Sequence, residues 1–191
     1  MSSFLLQDCY HMINFMSSTS LIMNVHPIIV HFPIACLMLY CMLEIAYCFF
    51  PKSRLQKLET TKLFLLWVGT VGTFFALQSW EVAQEIVWGQ TDLIHTHEEF
   101  AEKTYSLFLV LSIIRLVFVI HTHQLRTRFV PATLTRFITT LRAWRATRWI
   151  IALGACAGIV LLTITWALGG AITRGPDADP MVRIVYDLFV K

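Results

Sequence analysis

Four apolar stretches restrict this chain to a membrane fold: about Ile28–Phe50, Leu63–Val87, Thr104–Ile120 and Trp149–Ala171. A hydrocarbon core of roughly 30 Å needs about 20 apolar residues in helical conformation. The third stretch is short in its apolar part, but its helix can start earlier. With 57% hydrophobic and only 14% charged residues, and a mean hydropathy of +0.65, the chain lies far from soluble composition. Lipid offers the backbone no hydrogen bonds, so such segments become helices. The expected fold is therefore all-α, a four-transmembrane-helix bundle over residues 24–172. Residues 4–24 are apolar but interrupted by Gln7, Asp8, His11 and Asn14, which favours an interfacial N-terminal segment over 1–23. Residues 173–191 are expected to form an outer C-terminal tail. No Lys or Arg precedes Lys52, so a cleaved leader would lack its basic region and the N-terminus is expected to be retained.

Basic residues set the orientation. Lys52, Arg54, Lys57 and Lys62 lie between the first two stretches, and Arg126, Arg128, Arg136, Arg142, Arg145 and Arg148 between the last two. Both loops share one side, which the positive-inside rule makes the cytoplasm of a bacterial inner membrane, or the inner compartment of an organelle. Both termini then face outward. Ten of the twelve acidic residues, all but Glu44 and Glu59, fall at or beyond the outward ends. Such an acidic face suits either a solvated rim or the steering of a basic soluble partner such as a c-type cytochrome.

Within the inner loop over 121–148, Leu134, Phe137, Ile138, Leu141 and Trp144 recur at helical spacing after Pro131, with Arg136, Arg142 and Arg145 on other faces. This pattern predicts a basic amphipathic helix on the inner leaflet, held by anionic membrane lipids. Lipid accounts for the arginines without nucleic acid, for which no recognition motif exists. Cys36, Cys41, Cys48 and Cys156 lie in the spans and Cys9 stands alone, so neither a zinc knuckle nor a redox CxxC is present. The absence of CxxCH excludes covalent haem, and no nucleotide, hydrolase or HExxH motif occurs.

Helix starts carry the histidines. Thr96-His97-Glu98-Glu99 fits a capping box, which predicts Thr96 as the cap and His97 as the first helical residue. His26 precedes Pro27, a residue favoured in the first turn, and Pro33 sits deeper, where it can kink the helix. Eighteen residues separate His26 from Glu44, and eighteen separate His97 from Arg115. At about 100° per residue that is five full turns, so each pair shares a helix face. Glu44 and Arg115 are the charges deep within the first and third stretches, and an unpaired charge in hydrocarbon is expensive, so a structural ion pair between them is expected. That pair would bring His26 and His97 together near the outer surface. His31, about 140° round from His26 on an ideal helix, should look elsewhere unless Pro33 distorts the turn.

The run His26-Pro27-Ile28-Ile29-Val30-His31-Phe32-Pro33-Ile34-Ala35, with Glu44, the His97-led third span and the late Gly169-Gly170, resembles the bacterial membrane family catalogued as domain of unknown function 2231. The resemblance covers about residues 24–172. It implies a four-helix membrane domain, found beside cytochrome-like domains in some architectures, and hence a respiratory or b-type haem role. Some members open the third helix with His-Arg-Trp-Leu-Gly, where this chain has His97-Glu98-Glu99-Phe100-Ala101.

Three function classes follow. In the first, the chain is an electron-transfer subunit of a respiratory complex, holding haem b through His97 and His26, with His31 as the substitute ligand. Phe32, Trp80, Tyr105 and Phe108 would then line the macrocycle or simply pack, and Arg174 would meet a propionate. In the second, His26, His31, His95, His97 and Glu81 hold non-haem iron, copper or zinc. In the third, the chain is an accessory subunit without a cofactor that scaffolds other membrane subunits. Gly154 and Gly158 form a GxxxG pair suited to contact between chains or to internal packing.

Overall fold

The computed structural model of the protein describes residues 29–49, 58–84, 91–122, 140 and 145–191. Among them there is no β-strand. Five helices follow in order: α1 (Ile29–Phe49), α2 (Glu59–Gln84), α3 (Thr91–Thr122), α4 (Arg145–Arg174) and α5 (Pro180–Phe189). Among the described residues three helices are long and apolar enough to cross a membrane, over Ile29–Phe49, Glu59–Trp80 and Thr147–Arg174. The 32-residue α3 differs, because its first thirteen residues carry Asp92, Glu98, Glu99, Glu102 and Lys103 and its apolar part holds Arg115.

Several boundaries differ from the sequence expectations. Helix α3 begins at Thr91, so Thr96 is not its cap: the Thr96 hydroxyl donates to the Asp92 carbonyl one turn back, within the helix. The Ser/Thr-x-x-Glu pattern was satisfied by chance inside a helix whose acidic first turn is supplied by Asp92. His97 consequently lies about 9 Å along the helix from its start. Helix α2 begins at Glu59 rather than Leu63, which takes Lys62 out of the loop and into the bundle. Residues 173–191 contain the capped helix α5. The N-terminal segment 1–23 and the apolar face expected of the inner loop lie outside the described residues.

Glycines set the helix spacing. A Cβ on Gly69 would stand 2.5 Å from Leu37 Cγ, and one on Gly72 would stand 2.9 Å from Pro33 Cβ, so α2 lies against α1 through two bare backbone patches. On α4, Gly154 faces Leu111, and a Cβ on Gly158 would stand 2.7 Å from Phe108 Cζ and 3.3 Å from Cys41 Sγ. The GxxxG pair therefore serves packing within the chain, where small residues let helices approach closely. The core so formed joins Leu37, Tyr40 and Cys41 of α1, Leu66 of α2, Phe108 and Leu111 of α3, and Ala155 and Leu162 of α4. Two hydroxyl pairs tie α3 to its neighbours, Thr70 to Ser112 at 3.0 Å and Thr104 to Thr165 at 3.1 Å. Outward, large apolar side chains such as Phe64, Phe75, Val110, Ile113, Leu153 and Val160 stand exposed around the bundle. A soluble monomer rarely carries so extensive an apolar surface, whereas lipid covers it without cost.

Candidate functional site

The bundle has two chemically different ends. At the end where α1 and α3 finish and α2 and α4 start, four charges form a closed ring of alternating sign. Lys62 reaches Glu44 at 3.4 Å and Glu59 at 2.8 Å, Arg115 reaches Glu59 at 3.4 Å, and Arg115 pairs directly with Glu44. Glu44 and Lys62 are almost fully buried, at 4% and 2% exposure. Each carboxylate thus faces two cations and each cation two carboxylates, and the ring is neutral. That alternation offsets the desolvation that a lone buried charge would suffer. Beside it, the Tyr47 ring meets both Lys62 Nζ, 4.1 Å from its centroid, and the Arg148 guanidinium, at 4.6 Å, and Arg148 also donates to the Tyr47 carbonyl at 2.5 Å. Sequence reasoning paired Glu44 with Arg115 but assigned Lys62 and Glu59 no part. A Glu59-to-Lys62 spacing of three residues at a helix start was the available signal.

The opposite end holds a cavity of about 420 Å³ among α1, α2, α3 and α4. Its lining is mostly apolar, and its polar groups are His31, His97, Arg174, the indoles of Trp80 and Trp166, and the hydroxyls of Thr73, Thr104, Thr165 and Thr173. His97 reaches it from α3 because α4 has no side chain in the way. A Cβ on Gly169 would stand 3.3 Å from His97 Cε1 and 3.9 and 4.0 Å from the two ring nitrogens. The Trp80 indole meets the imidazole edge-on, with centroids 4.9 Å apart and planes at 67°. Gly169 and Trp80 together fix where that ring can lie.

The other sequence candidates divide. His31 lines this same cavity, contrary to the expectation that it looks elsewhere, but it does so as an exposed residue at the rim. His95 is exposed on α3 and is not among the lining residues. Arg174 and Trp80 also line the cavity. Phe32, Tyr105 and Phe108 do not: Phe32 is 61% exposed, Tyr105 packs on Phe74, and Phe108 fills the core below. Their helical phase points them to lipid, to α2 and to the bundle axis respectively. His26 and the side chain of Glu81 lie outside the described residues. Among the described residues no three His, Cys, Asp or Glu side chains gather as a metal site. Near the cavity end but outside the apolar spans, Lys103 bonds Glu99 at 2.7 Å and holds its carboxyl below the usual carboxylate range.

The comparison with known families decides the classification, because the model of the predicted membrane protein family DUF2231 matches residues 22–175. The chain belongs to that family. The match takes in both ends of the bundle, the charge ring and the histidine cavity alike, and stops one residue after α4. Helix α5 lies beyond it. No curated protein and no solved structure matches the chain.

Proposed function

We propose that this DUF2231 protein is a membrane electron-transfer subunit that binds a b-type haem in the outer-end cavity. The observation that carries the reading is His97, placed by Gly169 and Trp80 in a largely apolar cavity that belongs to the size class of ligand sites, roughly 300–1,000 Å³. His97 would hold the group through one imidazole nitrogen. Sequence spacing supports His26 for the other ligand: Glu44 meets Arg115 across α1 and α3, and His26 precedes Glu44 by eighteen residues as His97 precedes Arg115. His31 and Arg174, both exposed and both on the lining, are the groups to meet propionates. A bis-imidazole b haem supplies one-electron transfer with no open position for oxygen.

In the same proposal α3 is the fourth span, antiparallel to its neighbours, and both termini face outward from a bacterial or organellar inner membrane. The basic residues of two alternate loops support this orientation. Exposed Asp92, Glu102 and Asp177 lie at the cavity end and suit a basic soluble electron partner such as a c-type cytochrome. Other membrane subunits would complete the respiratory complex. The test is a visible spectrum of the purified protein and of three variants. His97→Ala and His26→Ala are expected to lose the low-spin bands, and His31→Ala to keep them. Loss in His31→Ala with retention in His26→Ala would replace the ligand pair. A folded, haem-free wild type with stoichiometric metal favours a non-haem site, and one with neither favours a scaffold.

A further inference from the structure

Helix α5 has three faces. Asp179 caps it, accepting from the amides of Met181 and Val182, and Pro180 occupies the first turn. One face, Val182 and Val185 with Tyr186, packs into a second core with Leu93 of α3 and Ala167, Leu168 and Ala171 of α4. Phe189 adds an edge-to-face contact with Phe100, centroids 4.9 Å apart. The second face is charged and satisfies itself: Arg183 bonds Asp177 at 2.7 Å and approaches Asp187 at 3.8 Å, and Lys191 approaches Asp187 at 3.8 Å. The third face is apolar and uncovered. Met181, Ile184 and Leu188, spaced three and four residues apart, are 48%, 64% and 69% exposed.

Depth says what covers that stripe. The α4 residues that hold α5 lie between Ile164 and Ile172, inside the apolar span that ends at Arg174. The turn at Gly175, with φ of 90°, sends the chain back so that α5 lies beside the last turns of the span. The stripe is thus level with the last turns of a membrane helix. Three side chains are also far short of the roughly 800 Å² per partner of a stable protein interface. We propose that α5, which lies beyond the family match, is an interfacial helix whose Met181, Ile184 and Leu188 insert among lipid acyl chains while Arg183, Asp187 and Lys191 remain at the headgroups.

A photo-crosslinking amino acid placed singly at Ile184, at Leu188 and at Asp187 in the full chain tests this in native membranes. Lipid adducts are expected from positions 184 and 188 and not from 187. A polypeptide adduct from 184 or 188 would overturn the proposal in favour of a docked protein or a second copy. Equal, negligible yields at all three positions would overturn it in favour of a solvated helix.

Discussion

Replacing Arg115 by methionine removes one member of the charge ring and leaves Glu44 and Glu59 to share Lys62. Glu59 is about one-third exposed and can turn to water, but Glu44 is 5% exposed at its side chain and cannot. Leaving one uncompensated buried charge costs about 3–5 kcal/mol, and methionine retains most of the arginine stem, so the loss is electrostatic rather than a cavity. Glu44→Gln alone leaves the opposite imbalance: Lys62 and Arg115 share Glu59, with Arg115 13% exposed. Its cost belongs near the lower end of the same range, about 3 kcal/mol. The double variant keeps the neutral Lys62–Glu59 pair at 2.8 Å and strands nothing. Its cost should fall short of the summed singles by about 2–3 kcal/mol, at the upper end of measured couplings. Reversible unfolding by denaturing detergent, followed by circular dichroism, measures all three. Additivity within about 0.5 kcal/mol would show that the two charges are independent and refute the ring as an energetic unit.

Two other perturbations bear on the cavity and the topology. Gly169→Val places methyl groups where His97 Cε1 stands 3.3 Å from an added Cβ, so the imidazole must move; haem retention through washing should fall with the helical content unchanged. Unchanged retention would mean that the ring position is irrelevant to binding. A cysteine at exposed Asp92 should react with an impermeant thiol reagent from the outer side of intact cells or vesicles, and reaction only from the inner side would invert the topology.

Much of the helical fold was legible because lipid enforces it: long apolar runs carry their own signal. The meeting of Glu44 with Arg115 was legible for the same reason, since few charges sit deep in those stretches. Lys62 escaped because a lysine near a span end reads as a loop residue, and only the earlier start of α2 at Glu59 turns it inward. The Thr96 box misled because a local cap pattern competes with every other possible start, and Thr91-Asp92 lay upstream. Helix α5 was there to be read, in Asp179-Pro180 followed by Val182, Val185, Tyr186 and Phe189 at helical spacing, but its short length placed it among tail residues. The cavity was not legible, because it depends on Gly169 facing His97 across two helices remote in sequence, and an interhelical contact has no periodicity.

The most direct test of the central reading is the haem content of the purified, full-length wild-type protein, measured as the pyridine haemochrome and set against protein concentration. One b-type haem per chain, with a low-spin spectrum in both redox states, is the expected result. A folded protein, with native circular dichroism and a cooperative unfolding transition, that carries no haem after expression with haem supplied would contradict it.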